Sequence, residues 1–220
     1  MLVAAGKGER LGGDRPKAFA PLAGRPLLAE SLERLEASER IDAIVVVAPP
    51  DWEEPAILVA EEVGAGKVVA CVAGGSTRAE SVRIGVGEVP EDAAAILVHD
   101  AARPLVTDEV IARVLAPLGE GFDGAVPGLP ISDTVKRAPG GTVSETVDRS
   151  DLYAVQTPQA FVAAAFRRAL ATVGEDATDC AGIVERAGGR VRVVEGDPRL
   201  VKVTTLADLA AVESLLLERP

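Results

Sequence analysis

Short apolar runs that stop at glycine or proline alternate along this chain with stretches of helical period, and no other feature constrains the fold as tightly. Ile41–Ala48 holds Ile44-Val45-Val46-Val47 and stops at Pro49-Pro50, which reads as a strand buried on both faces. Leu2–Ala4, Lys67–Val72, Ala95–His99 and Gly124–Pro127 read as further strands. Between them, Pro26–Leu35 sets Leu28, Leu32 and Leu35 on one helical face, and Ala56–Val63 and Arg78–Val86 follow the same period. Thr107 opens a helix to about Leu118, with Asp108 and Glu109 suiting its first turn. Strands separated by helices require right-handed crossovers and a mostly parallel, twisted sheet flanked by helices. Such sheets bind ligands beyond the carboxyl ends of their strands. Here that places Ala4–Lys17 and His99–Pro104 at the ligand edge.

Residues 131–150 break the rhythm. Thr134–Arg137 and Thr142–Val147 alternate around Ala138-Pro139-Gly140-Gly141, the pattern of a β-hairpin. A two-stranded hairpin cannot bury itself, so this arm is expected to lie on another surface, most simply a second copy of the chain. The α/β pattern then resumes with helices at Ala160–Ala171 and from Thr178 to about Ala187. Strands at Val191–Glu195 and Leu200–Val203 and a closing helix at Leu206–Leu217 follow. One domain over residues 1–220 carries the arm as an insertion.

With 23 Lys+Arg against 34 Asp+Glu the net charge is −11, which argues against nucleic acid as a partner. A small anionic substrate remains compatible with a local cationic pocket. The aromatic share of 3% leaves the core to Ala, Val, Leu and Ile. No run is long enough to cross a bilayer. The opening residues lack the basic region of a signal peptide, and two cysteines, Cys71 and Cys180, form no framework, so the expected compartment is the cytosol. The only side-chain amides are Gln156 and Gln159, a scarcity that fits adaptation to heat or a GC-rich genome, which also favours Arg, Ala and Gly.

The segment Ala4-Ala5-Gly6-Lys7-Gly8-Glu9-Arg10-Leu11-Gly12-Gly13-Asp14-Arg15-Pro16-Lys17 follows the first strand directly. Glycines let a backbone approach a phosphate chain closely, and successive N–H groups make an anion-binding concavity. The spacing is neither the dinucleotide fingerprint nor a Walker loop.

These residues, with Leu22-Ala23-Gly24-Arg25-Pro26-Leu27, resemble the sugar-phosphate nucleotidyltransferases. Gly74-Gly75-Ser76-Thr77-Arg78-Ala79-Glu80-Ser81, Val98-His99-Asp100-Ala101-Ala102-Arg103-Pro104 and Thr157-Pro158-Gln159 narrow the likeness to the 2-C-methyl-D-erythritol 4-phosphate cytidylyltransferases. The resemblance implies a Rossmann-like fold with a dimerising arm and attack by a substrate phosphate on the α-phosphorus of CTP. It implies catalytic roles for Arg10 and Lys17, which hold the triphosphate, and nucleotide contacts at Ala4, Ala5, Gly6, Gly8 and Ala101. Gly75, Arg78 and the Ser81 hydroxyl would read cytosine, and Asp100 would hold Mg²⁺. Arg103, Thr134, Arg149, Thr178 and Lys202 would bind the polyol phosphate, with Thr134 and Arg149 reaching a partner's site from the arm. A ribitol 5-phosphate cytidylyltransferase would share much of this, and a non-catalytic nucleotide-binding domain could keep the fold.

A phosphate monoester is already largely dianionic at neutral pH, so this chemistry needs no general base. His99, the single histidine, is therefore expected to be structural. Arg10, Lys17, Arg103, Arg149 and Lys202 are expected to converge on one cleft.

Overall fold

The computed structural model describes residues 1–6, 8, 11, 15–172 and 179–218. Its strands are β1 (Leu2–Val3), β2 (Pro21–Leu22), β3 (Arg25–Pro26), β4 (Ile44–Ala48), β5 (Val68–Ala73), β6 (Ala95–Asp100), β7 (Gly124–Pro130), β8 (Val135–Arg137), β9 (Glu145–Val147), β10 (Tyr153–Val155), β11 (Gln159–Val162) and β12 (Val191–Glu195). Its α-helices are α1 (Leu27–Ala37), α2 (Glu53–Glu62), α3 (Arg78–Gly87), α4 (Asp108–Leu115), α5 (Ala163–Thr172), α6 (Cys180–Arg186) and α7 (Leu206–Leu217).

One eight-stranded sheet runs β10-β7-β11-β6-β1-β4-β5, with β12 on β7. The β6-β1-β4-β5 half is parallel throughout, as the crossovers require. Helices cover both faces. Leu32 of α1, Val59 of α2 and Ile111 of α4 close over Leu2 and Val46. On the other face Val82 of α3, Phe166 of α5 and Ile183 of α6 close over Val98 and Phe161. Local chemistry sets the helix starts. The Thr107 hydroxyl accepts from the Val110 N–H at the head of α4, and Thr205 and Asp208 cap α7 reciprocally. Among the described residues no helix is long and apolar enough to cross a membrane.

Two expectations need correction. The stretch Ala160–Ala171 is not one helix. Gln159–Val162 is strand β11, antiparallel to both β6 and β7, and α5 starts at Ala163. Ala160 and Phe161 are fully buried, and two ladders hold this backbone extended against its helical neighbours. Leu200–Val203 is not a strand. Leu200 N–H folds back to the Asp197 carbonyl, and the segment is tied through Val203 N–H to the Ala102 carbonyl instead.

The hairpin forms as expected. Val135 pairs with Val147 and Arg137 with Glu145, in a ladder separate from the main sheet. Gly140 and Gly141 turn it with φ of 62° and 83°, backbone values that exclude most other residues.

Candidate active site

The register of β1 brings the expected segments together. Val3 lies opposite both Val47 and Asp100, so the glycine-rich loop leaves the sheet beside the ends of β4 and β6. A cavity of about 720 Å³ opens there, at the carboxyl ends of four parallel strands. Ala4, Ala5, Gly6 and Lys17 line it from the first loop, Pro49 and Pro50 from the end of β4, and Gly74–Arg78 with Ser81 from the turn into α3. Asp100, Ala101, Ala102 and Lys202 complete the wall.

Glycines allow the loops to meet. Gly8 has φ +74°, and an added Cβ would stand 2.7 Å from the Lys17 Cβ, so the loop lies directly on the lysine stem. At Gly74 an added Cβ would stand 2.4 Å from the Ala5 Cβ and 2.9 Å from the Ser81 Oγ. The Thr77 side chain caps α3 by accepting from the Glu80 N–H, which sets the turn. Ser81 Oγ donates to the Thr77 carbonyl at 2.9 Å and accepts from the Gly75 N–H at 3.1 Å. Its one proton is thus committed to shaping the loop. Toward a base it retains acceptor capacity, suited to an exocyclic amine rather than to O2.

Asp100 is the electrostatic centre. Arg78 donates to its Oδ1 at 3.0 Å and Lys202 to its Oδ2 at 2.7 Å. Burial opposes its ionisation, but the two cations outweigh burial and hold the carboxyl well below the usual carboxylate range. It is therefore a carboxylate at every working pH. Arg78 also reaches Cys180 Sγ at 3.4 Å; burial pushes that thiol up to about 11, which leaves it neutral and unreactive.

Beneath Asp100 runs a chain of hydrogen bonds with one sense. The Asp100 N–H donates to Thr157 Oγ1 at 3.1 Å. His99 Nε2 lies 3.0 Å from the Arg103 carbonyl, which only accepts, so Nε2 carries the proton. Nδ1 then accepts from the Thr157 hydroxyl at 3.1 Å. The histidine is 1% exposed and structural, as expected. Burial pushes it down from 6.5 to about 4. The folded chain therefore binds fewer protons than the unfolded chain inside that window. The stability is complete above pH 6.5 and drains away as pH falls toward 4. The difference corresponds to about 3 kcal/mol. Denaturant midpoints measured from pH 7 downward should show this loss; burial also pushes the Met1 ammonium down to about 5, so His99→Gln should remove the His99 share of the slope and leave the part between pH 7 and 5 that Met1 contributes.

The expected convergence of cations is partial. Lys17 and Lys202 line the cavity, and Arg78 stands where sequence reading placed only a base contact. Arg103 turns its guanidinium to the Leu200 carbonyl at 2.6 Å, and its buried Nε has no hydrogen-bond partner among the described residues. Thr134 and Arg149 lie exposed on or beside the arm, where Arg149 donates to the Ser132 carbonyl, and neither lines the cavity. Arg10 and Thr178 lie outside the described residues.

Sequence reading missed the supports: Thr157 under Asp100, and the two glutamines flanking it. Gln156 grips Asp197 by exchanging both backbone bonds, at 2.8 and 3.0 Å. Gln159 donates to the Asp179 carboxylate, which caps α6, and accepts from the Ala181 N–H. The signal was present, since a chain with two amides that sets both around one Thr-Pro is using them for structure.

Known proteins match along the whole length. A family model described as 2-C-methyl-D-erythritol 4-phosphate cytidylyltransferase matches residues 1–218. Proteins of that name from Saccharopolyspora erythraea and Rhodococcus jostii are each 44% identical; they cover 98% and 99% of this chain, and 97% and 94% of their own length is matched. A crystal structure of 4-diphosphocytidyl-2C-methyl-D-erythritol synthase superposes with a TM-score of 0.82 at 36% identity, covering 98% of this chain and 96% of its own. A crystal structure of 2-C-methyl-D-erythritol 4-phosphate cytidylyltransferase from Thermus thermophilus gives a TM-score of 0.78 at 33% identity, covering 97% and 96%. The glycine loop, the carboxylate at the end of β6 and these full-length matches agree, and the chain belongs to the 2-C-methyl-D-erythritol 4-phosphate cytidylyltransferase family.

Proposed function

We propose that this chain joins CTP to 2-C-methyl-D-erythritol 4-phosphate, releasing pyrophosphate and giving the CDP-alcohol for non-mevalonate isoprenoid synthesis. The observation that carries the reading is Asp100, buried and ionised between Arg78 and Lys202 in a cavity floored by the glycine loop. A domain that only bound nucleotide would have no need of that carboxylate among the phosphate-binding cations. Full-length matches to one family favour this alcohol over ribitol 5-phosphate.

Both substrates are anions, so the chemical problem is to bring them together. The incoming phosphate oxygen attacks the α-phosphorus, the bond to the β-phosphate oxygen breaks, and the electron pair leaves on pyrophosphate. Lys17 and the loop N–H groups hold the triphosphate. Lys202 and Arg78 draw charge off the equatorial oxygens as it builds.

Asp100 fits Mg²⁺. Among the described residues that line the cavity Asp100 is the one Asp or Glu, so they offer a single carboxylate. Mg²⁺ commonly takes one or two carboxylates and completes its shell with substrate phosphates. When bound, it would neutralise charge between the α-phosphate and the leaving group. Lys202 and Arg78 keep Asp100 ionised and oriented until then.

Pyrophosphate release from CTP, followed with a panel of polyol phosphates with and without Mg²⁺, tests the assignment. Release should require Mg²⁺ and be fastest with 2-C-methyl-D-erythritol 4-phosphate. No release with any alcohol would defeat the enzyme reading.

The arm supports a dimer in which Thr134 and Arg149 serve the partner's cavity, because they stand away from their own. Co-expressing an Asp100→Asn chain with an Arg149→Ala chain tests this. Mixed dimers would hold one complete site, so activity should recover to about a quarter of wild type. If Arg149 serves its own chain, nothing recovers.

A further inference from the structure

Arg78 and Lys202 share one carboxylate, but they are held differently. Lys202 meets Asp100 through a single ammonium. Arg78 enters from the first turn of α3 and presents two nitrogens. One donates to Asp100 Oδ1 at 3.0 Å and the other to Cys180 Sγ at 3.4 Å. A guanidinium is planar and rigid, so anchors on two of its nitrogens fix both its plane and its direction. With one anchor it can turn about that bond. Cys180 therefore decides where Arg78 points.

Cys180 is itself firmly held. It is fully buried at the start of α6. Asp179 caps that helix by accepting from the Gly182 N–H at 3.0 Å. Gln159 of β11 donates to the same carboxylate at 2.9 Å and accepts from the Ala181 N–H at 3.3 Å. Gln159 pairs with Val98 of β6, two residues before Asp100. The two acceptors that hold Arg78 are thus referenced to one pair of strands. The thiol is neutral, so it accepts through a sulfur lone pair without cancelling the arginine's charge. A carboxylate at this position would neutralise Arg78, and an alkyl group would leave its second nitrogen unpartnered.

We propose that Cys180 is a positioning residue: its neutral thiol holds the Arg78 guanidinium facing the cavity, with its positive charge available to phosphate oxygens. The kinetic part of this inference rests on the reaction assigned above, and the geometric part does not.

Three variants separate the acceptor from the volume it fills. Cys180→Val keeps the volume and removes the acceptor, Cys180→Ser keeps an acceptor and loses volume, and Cys180→Ala loses both. kcat should follow the acceptor, falling about tenfold in Val and Ala and staying within about threefold of wild type in Ser. KM for CTP should change less than kcat throughout. Thermal midpoints should follow volume instead, with Val above Ser. A kcat that ranks with the midpoints, or one unchanged in all three variants, would overturn the proposal.

A second readout needs no turnover. The guanidinium N–H signals of Arg78, assigned by their loss in Arg78→Lys, should show hindered rotation in wild type and Cys180→Ser and averaging in Cys180→Val. Equal rotation in wild type and Cys180→Val would overturn the proposal. Absence of pyrophosphate release by wild type would instead defeat the assigned reaction and leave this result standing.

Discussion

Asp100→Asn should lower kcat by about 10²–10³-fold, the size expected when one preplaced electrostatic group is removed from a site that works by charge. The asparagine keeps the shape of the side chain and the backbone bond to Thr157 but loses the charge. Its amide can satisfy Arg78 or Lys202 as an acceptor, and then points an N–H₂ at the other cation. On the proposed reading, in which Asp100 holds the metal, raising Mg²⁺ should not restore the rate. CTP binding should weaken far less than turnover, since the loop contacts are untouched. A variant within tenfold of wild type in kcat would remove Asp100 from the chemistry and leave it as the strut of an ion-pair cluster.

Gly74→Ala should be the most damaging of the small substitutions in the loops. Its φ is not in the left-handed region, so the effect is purely one of space. The new methyl would meet the Ala5 Cβ at 2.4 Å, the Ser81 Oγ at 2.9 Å and the Ala48 carbonyl oxygen at 3.3 Å. None of these is the free end of a long side chain. The glycine loop and the turn into α3, which together form the floor and one wall of the cavity, must move apart. The KM for CTP should rise tenfold or more, which corresponds to about 1.4 kcal/mol. Overpacking should also cost about 1–3 kcal/mol of stability. Gly75→Ala makes the comparison sharp. Its Cβ would meet the carboxyl end of the Glu80 side chain, which can swing aside, so its thermal midpoint should fall less. Equal effects at the two positions would mean that loop approach is not what Gly74 provides.

Much of this was legible in the residues. β4 and β6 announced themselves because apolar β-branched runs buried on both faces have few other uses. The ends of those strands then located Asp100 and the cavity through topology alone. Lys17 and Lys202, far apart in sequence, meet there as expected. β11 was not legible, because Gln159–Val162 shares the apolar composition of the helix that follows. Only its long-range ladders with β6 and β7 decide between the two. The same holds for Arg103. A basic residue in a ligand-edge loop reads as a substrate contact, but its direction depends on where the Leu200 carbonyl lies, a fact of tertiary packing. Arg78 shows the converse: the turn was read as a base-reading loop, while its arginine joins the charge cluster around Asp100. The arm was legible as a hairpin, because Thr134–Arg137 and Thr142–Val147 alternate around Ala138-Pro139-Gly140-Gly141.

Gln156 and Gln159 are the chain's only side-chain amides, and both are buried and hydrogen-bonded on either side of Thr157. Deamidation therefore has almost nothing to act on. The carboxamides that do exist are pinned in the segment that supports the carboxylate of the site, away from water. On prolonged heating, activity should then be lost by unfolding rather than by the slow gain of negative charge that ages amide-rich proteins.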